Sequence, residues 1–370
     1  MIYLDHNSST YVLPHVYDLL STRNIEFLGN ADSPHAAGRA AKSIIDDARS
    51  SVAVLAGTRS GNVIFTSGAT ESNALALASY ISNGCTIFAS AVEHKSVLKY
   101  ADVIIPVDPE GHLSLVALRE RLYAHRWNRG IVVACMYANN ETGVILDCDD
   151  AVVNVCMESG AKLHIDASQC YSKGGRLTKL QKEYASTITL SGHKMHAMKG
   201  VGSLIFRDEI LNVLKPQMLG GSQELGLRSG TRNAEAIFSF GVAATEAINN
   251  SAVAHSQMAL QISEIENELS DISTINGTTK HRLCNTTNLH FPKIKDLQIF
   301  IESLSELGLM VSGTSACDSG MTAKSHVLSA MFGDDSERVS GSIRISVSPK
   351  TTWQEVLDAI KIIRKVVVTT

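Results

Sequence analysis

Between about residues 60 and 210, short β-branched apolar runs alternate with stretches of helical period, and this constrains the fold more than any other feature of the chain. "NVIFTS" is followed by the helix-like "TESNALALASYI", and "CTIFAS" by "EHKSVLKYAD". "VIIPV" precedes "LSLVALRERLYAH", and "GIVVACMYA", "KLHID", "STITLS" and "GSLIF" follow as further strand runs. Alternation of this kind builds βα units on a largely parallel sheet. Two helical stretches come next, from about Asn233 to Ile248 and from about Gln257 to Leu269. The pattern then changes to strand ("KHRLCNTTNLHFP"), helix ("IKDLQIFIESLSELG"), strand ("GSIRISVS") and a closing helix ("TWQEVLDAIKIIRKVV"). The fold class expected is α/β, with a large domain followed by a smaller α+β domain.

A chain of 370 residues is too long for one small core, which agrees with two domains. Its composition is globular, with 44% apolar and 19% charged residues. A net charge of −4 argues against a general nucleic-acid footprint, so no direct nucleic-acid contact is required. The start, "MIYLDHNSST", has neither a basic nor an apolar signal region, and no apolar run approaches the ~20 residues of a spanning helix. No membrane partner is expected. The seven cysteines (85, 135, 148, 156, 170, 284 and 317) are odd in number and scattered, with no CxxC and no zinc-type spacing. No metal site is expected, and reduced thiols fit a cytoplasmic location.

Open α/β sheets gather ligand chemistry at the carboxyl ends of their strands. In "NVIFTSGATESN" Gly68 allows a tight turn, and the amides of Ala69 and Thr70 with the Thr70 hydroxyl open a helix N-terminus, which suits a phosphate; a plain capped helix is the alternative. No lysine follows the turn, so it is not a Walker A loop. "KLHIDASQ" ends a strand with Asp166, a carboxylate that needs donors or a cation unless it caps the next segment. "TITLSGHKMHAMKG" ends a strand with Ser191, His193 and Lys194. A desolvated lysine becomes an amine nucleophile able to bond an aldehyde, although a solvated lysine is equally compatible with the position. A phosphate cradle, an aspartate at one strand end and a lysine at another together match the needs of pyridoxal 5'-phosphate (PLP).

"VSGTSACDSGMTAKSH" sets Cys317 in small, polar, loop-like sequence, unlike the apolar surroundings of most buried cysteines. It is either an inert exposed thiol or a nucleophile that must move.

Taken in order, "YLDHNSSTYVLPHV", "GNADSPHAAGR", "FTSGATESN", "EHKSVL", "NNETG", "HIDASQ", "SGHKMHAMKG", "GLRSGTRN", "SGTSACDSG" and "SIRIS" resemble, nearly end to end, the NifS/IscS-like cysteine desulfurases of fold-type I, aminotransferase class V. The resemblance implies a PLP-dependent transferase fold with a large domain over 14–255 and a small α+β domain over 256–370, on which residues 1–13 pack and which carries the cysteine loop. It implies that Lys194 bonds the cofactor aldehyde, Asp166 pairs with the ring nitrogen, Gln169 meets the ring hydroxyl and His94 stacks on the ring and handles protons. Ala69, Thr70, Ser191 and His193 would hold the phosphate, with Thr231 reaching in from the other subunit of a homodimer. Arg344, helped by Asn140, would bind the carboxylate of L-cysteine, and Cys317 would accept the sulfur as a persulfide. Mobility then has a purpose, because one thiol must visit both the cofactor and an acceptor.

The implied activity converts L-cysteine to L-alanine and delivers sulfur to an acceptor protein for iron–sulfur cluster biogenesis, tRNA thiolation or DNA phosphorothioation. The alternatives are a selenocysteine lyase and a non-catalytic paralogue serving as a platform for sulfur carriers. The chain departs from the family pattern at Asp318, where a small or hydroxyl residue is common. His196, Ala197 and Met198 stand in place of Tyr-Gly-Pro, and Lys324 in place of a proline.

Overall fold

The structure, a computed structural model, describes residues 1–249, 252–313 and 324–369. Its strands are β1 (Ile2–Tyr3), β2 (Val63–Thr66), β3 (Thr86–Ser90), β4 (Val103–Ile105), β5 (Ile131–Ala134), β6 (Lys162–Asp166), β7 (Thr187–Ser191), β8 (Gly202–Phe206), β9 (Thr274–Ile275), β10 (Thr286–His290), β11 (Leu309–Met310), β12 (Ser312–Gly313) and β13 (Ser342–Ser346). Seven form one sheet in the order β2-β8-β7-β6-β5-β3-β4. All run parallel except β8, which lies antiparallel between β2 and β7.

Both faces of this sheet are covered, and the period-two alternation of strand side chains shows how. Ile64, Ile87, Ala89, Val132 and Leu204 pack on one face with Leu75, Leu77 and Tyr80 of the helix Ala69–Ser82. Their neighbours Phe65, Phe88, Val133 and Ile205 face the other way, into a core shared with the helices Ala36–Ala56, Ala151–Ser159 and Ala234–Asn249. Strands buried on both faces read as continuous apolar runs, which is why they stood out in the sequence. The helix Ala36–Ala56 packs closely on Ala234–Asn249: a Cβ at Gly241 would lie 2.6 Å from the Cα of Ala48.

A second, antiparallel sheet runs β12-β13-β10-β9. Leu289, Ile343 and Ile345 from it meet Ile262, Phe300 and Ile363 from the helices Ala252–Glu268, Leu297–Glu306 and Trp353–Thr369. Leu4 belongs to this core, and β1 pairs in parallel with β11. Residue 344, in the middle of β13, is paired with Asn288 on one side and Ser312 on the other.

Candidate active site

The carboxyl ends of the parallel strands open onto a cavity of about 650 Å³, closed on its other side by Arg344 of β13 and by Asn7, Ser8 and Ser9. From the large sheet it collects Ala69, Thr70, His94, Asp166 and Gln169. It also collects Ser191 at the end of β7, His193 and Lys194 just past it, and Asn140. Thr231 is not among the lining residues of this chain's cavity; it is exposed just ahead of the helix Ala234–Asn249. Cys317 and its neighbour Asp318 lie outside the described residues.

At the end of β2 the chain turns through Ser67 and Gly68 into the helix Ala69–Ser82. A Cβ at Gly202, where β8 begins, would lie 2.7 Å from the Cα of Gly68, so glycine there lets β8 close against the turn. The first amides of a helix have no partner within it, and here they border the cavity, an arrangement suited to an anion. Across from them His193 Nδ1 is 3.3 Å from Ser9 Oγ. Burial, followed by the charges of Lys194, Lys173 and Lys199, lowers the His193 pKa to about 4, so this ring offers hydrogen bonding without charge.

Asp166 ends β6 and is buried. Its Oδ1 accepts from Ser168 N at 3.0 Å and Ser168 Oγ at 2.5 Å, and its Oδ2 accepts from Asn73 Nδ2 at 2.9 Å. Burial pushes its pKa up, but these donors and the nearby His94 outweigh burial and hold the carboxyl below its ordinary value. The site therefore carries a buried carboxylate that stays ionised.

His94 caps the short helix Lys95–Leu98, its Nδ1 accepting from Ser96 N at 3.1 Å and lying 2.7 Å from Ser96 Oγ. A backbone N–H can only donate, so Nδ1 is the acceptor and Nε2 carries the ring proton. Burial first, offset in part by Asp166, lowers the His94 pKa, so the ring is neutral. The sequence "EHKSVLKYAD" suggested a longer helix; its regular part is one turn, started by this cap.

Gln169 is fixed at both ends of its amide. Nε2 donates to Asn7 O at 3.0 Å, and Oε1 accepts from Lys173 Nζ. Lys173 is wholly buried, and burial together with Lys194 and Arg344 lowers its pKa well below that of a free lysine. Arg344 is also buried. Its Nη1 donates to Asn140 O at 2.9 Å, and Nη2 donates to Asp5 Oδ1 at 2.6 Å and Ser8 Oγ at 2.7 Å. Asn140 thus reaches Arg344 through its backbone carbonyl. Among the described residues, Nε of Arg344 is buried with no hydrogen-bond partner.

His196, at the departure from the family's Tyr-Gly-Pro, adopts φ 69°, a left-handed conformation in which histidine is enriched over most residues. Its N–H donates to Thr10 Oγ1 at 2.8 Å and its ring lies 4.4 Å from that of Tyr11, so the lysine-bearing turn is tied to the N-terminal segment.

The reading of single motifs missed Asn73, Ser168 and Lys173, although "TESN", "DASQ" and "SQCYSK" contain them. Each is polar in an otherwise apolar or small context and is fully or almost fully buried.

The family model for aminotransferase class V matches residues 2–358. Cysteine desulfurase 2 of Trichormus variabilis is 34% identical, over 96% of this chain and 90% of its own. The solved NifS-like protein of Rickettsia africae is 30% identical with a TM-score of 0.89, covering 99% of both chains. The chain belongs to the cysteine desulfurases of aminotransferase class V. A further solved relative, SspA in complex with cysteine, is 26% identical with a TM-score of 0.79, over 95% of this chain and 100% of its own.

Cysteine desulfurases use PLP, which asks for an amine, a buried anion and an anion cradle within one cavity. Lys194, Asp166 and the Gly68–Thr70 helix start border the same space, which therefore fits the group.

Proposed function

We propose that this cysteine desulfurase converts L-cysteine to L-alanine in the cavity between the two sheets and hands the sulfur to Cys317. The observation that carries the reading is the meeting of Lys194, an ionised Asp166 and Arg344 around one cavity. When bound, PLP supplies an electron sink for the bonds at the cysteine α-carbon. Asp166 holds a proton on the ring nitrogen through its negative charge. Lys194 Nζ takes the α-proton, and His94 donates from Nε2. Arg344 binds the substrate carboxylate through its guanidinium fork. His193, Ser191, Ala69 and Thr70 bind the phosphate. In the sulfur step the substrate Cβ–S bond breaks and the S–S bond to Cys317 forms. A proton replaces sulfur on Cβ, so cysteine and thiol become alanine and persulfide.

The same reading makes residues 14–255 and 256–370 two working units, with 1–13 packing on the second. It makes the active form a homodimer in which Thr231 serves the other subunit's phosphate. It also has Cys317 deliver sulfur to an acceptor protein in the cytoplasm. No helix among the described residues is long and apolar enough to cross a membrane.

The test is incubation with L-cysteine, following alanine release and the mass of the Cys317 peptide. Alanine with a 32-dalton gain on Cys317 is expected. Release from selenocysteine alone would favour the lyase reading, and no release from either would favour the binding platform.

A further inference from the structure

Behind the cavity runs a chain of hydrogen bonds whose direction is fixed. His164 lies wholly buried in β6, two residues before Asp166 and therefore on the same face of the strand. Its Nδ1 is 2.9 Å from Thr187 Oγ1 and its Nε2 is 3.1 Å from Asn73 Oδ1. Asn73 Nδ2 donates to Asp166 Oδ2 and to Ser96 Oγ, each at 2.9 Å. The Thr187 hydroxyl in turn lies 3.2 Å from Tyr80 OH. Tyr80, Thr187, His164 and Asn73 all have 0% exposure, so water cannot substitute for any missing partner.

Only one assignment satisfies every group. An ionised carboxylate accepts and cannot donate, so Asn73 must turn its amide nitrogen toward Asp166 and its carbonyl oxygen away. That oxygen also only accepts, so the proton on His164 sits on Nε2. The neutral ring then accepts at Nδ1 from the Thr187 hydroxyl, and Thr187 accepts from Tyr80. Burial lowers the His164 pKa to about 4 against the pull of Asp166, which agrees with a neutral ring.

We infer that His164 is a positioning residue: its Nε2–H locks the Asn73 amide with the nitrogen toward Asp166, and so keeps Asp166 an anion facing the ring nitrogen of the cofactor. The inference rests on the role proposed above for Asp166. Without the Nε2–H, a buried carbonyl oxygen on Asn73 loses its donor, and a turned amide would set that oxygen against the carboxylate. The same Asn73 nitrogen feeds Ser96, which meets His94 Nδ1, so the lock extends to both sides of the cavity floor.

The test compares His164→Leu, which removes the donor, with His164→Gln, which restores an N–H near the position of Nε2. Each holoenzyme carries cofactor labelled with ¹⁵N at the ring nitrogen, with Asp166→Asn as control. The ring nitrogen should give a protonated signal in the wild type and the Gln variant and move toward the bare-pyridine position in the Leu variant. The Leu variant should keep bound cofactor while kcat/KM falls roughly ten- to a hundred-fold. In histidine-labelled wild type, the His164 signals should show the proton on Nε2.

A wild-type ring nitrogen signal in His164→Leu, or a proton on Nδ1 of His164, overturns the inference. Should the Leu variant not fold, the His164 tautomer in the wild type still decides: a proton on Nε2 is expected, and a proton on Nδ1 overturns the inference. If Asp166→Asn also leaves the ring nitrogen protonated, the proposed role of Asp166 fails. If that control moves the signal and His164→Leu does not, only the inference fails.

Discussion

Glu93, next to His94, gives a quantity that can be worked from the structure. Its side chain is wholly buried. Oε1 accepts from Ser90 Oγ at 2.8 Å and from Met136 N at 2.6 Å, and Oε2 is without a hydrogen-bond partner. Burial, partly offset by those donors and reinforced by the nearby negative Asp166, raises its pKa from 4.5 to about 8. One of the two neighbouring carboxyls is thus neutral and the other ionised.

Between those two values the folded chain holds a proton that the unfolded chain has lost, so this group's stability contribution is full below pH 4.5 and is lost as the pH rises to about 8. The slope is roughly 1.4 kcal/mol per pH unit, about 5 kcal/mol over the whole interval and about 2 kcal/mol between pH 6.5 and 8. Glu93→Gln copies the neutral acid and removes the titration. Lowered pKa values at His6, His193 and His196 (about 4 each) and at Lys173 give slopes of the opposite sign. These are common to both proteins and cancel in the difference. Urea unfolding at half-unit pH steps should show the wild type losing stability relative to the variant up to about pH 8, then running parallel. Parallel curves from pH 5.5 upward would mean that Glu93 is ionised in the fold and refute the reasoning.

Three further outcomes follow from the site. Lys194→Ala should lack the visible absorbance of covalently held cofactor and release no alanine, checked by spectrum and amino-acid analysis. Arg344→Lys should raise KM for cysteine roughly ten- to a hundred-fold with a smaller change in kcat, while Arg344→Ala should also lose about 3–5 kcal/mol in urea unfolding because Asp5 is left without its partner. Cys317→Ser should bind cofactor and substrate normally by absorbance titration, yet form no persulfide detectable by mass spectrometry.

Much of the fold was readable because a sheet covered on both faces needs unbroken apolar strands. All seven strands of the large sheet fall within runs such as "NVIFTS" and "STITLS". Their order was not readable. Nothing local marks β8 as the strand inserted antiparallel between β2 and β7, since its neighbours are set by packing across the molecule. The helix Ala36–Ala56 is legible in the sequence only through the motif "GNADSPHAAGR" at its start. "KHRLCNTTNLHFP" shortens to Thr286–His290 because only that part pairs with β13. At the site, strand-end residues such as Asp166 and Lys194 announce themselves by charge beside apolar sequence. Asn73 and Ser168 do not, because their function depends on partners fixed by the fold: Asn73 meets His164 across 91 positions of the chain.

Hydrogen-bond direction also divides the work among the groups around the cavity. Asn73 sends one proton toward Asp166 and one toward Ser96. Ser96 Oγ, having accepted, donates to His94 Nδ1, where the Ser96 amide also points. His94 is thereby committed to Nε2–H, and its lowered pKa keeps it from gaining a second proton near neutral pH. A neutral imidazole whose one accepting nitrogen is already engaged can give a proton but cannot take one. In the function proposed above this leaves His94 as a donor, with Lys194 accepting the α-proton. The same wiring ties the two roles together: turning the Asn73 amide would weaken the Asp166 anion and draw the Ser96 hydroxyl proton away from His94 Nδ1, leaving that nitrogen the Ser96 amide alone.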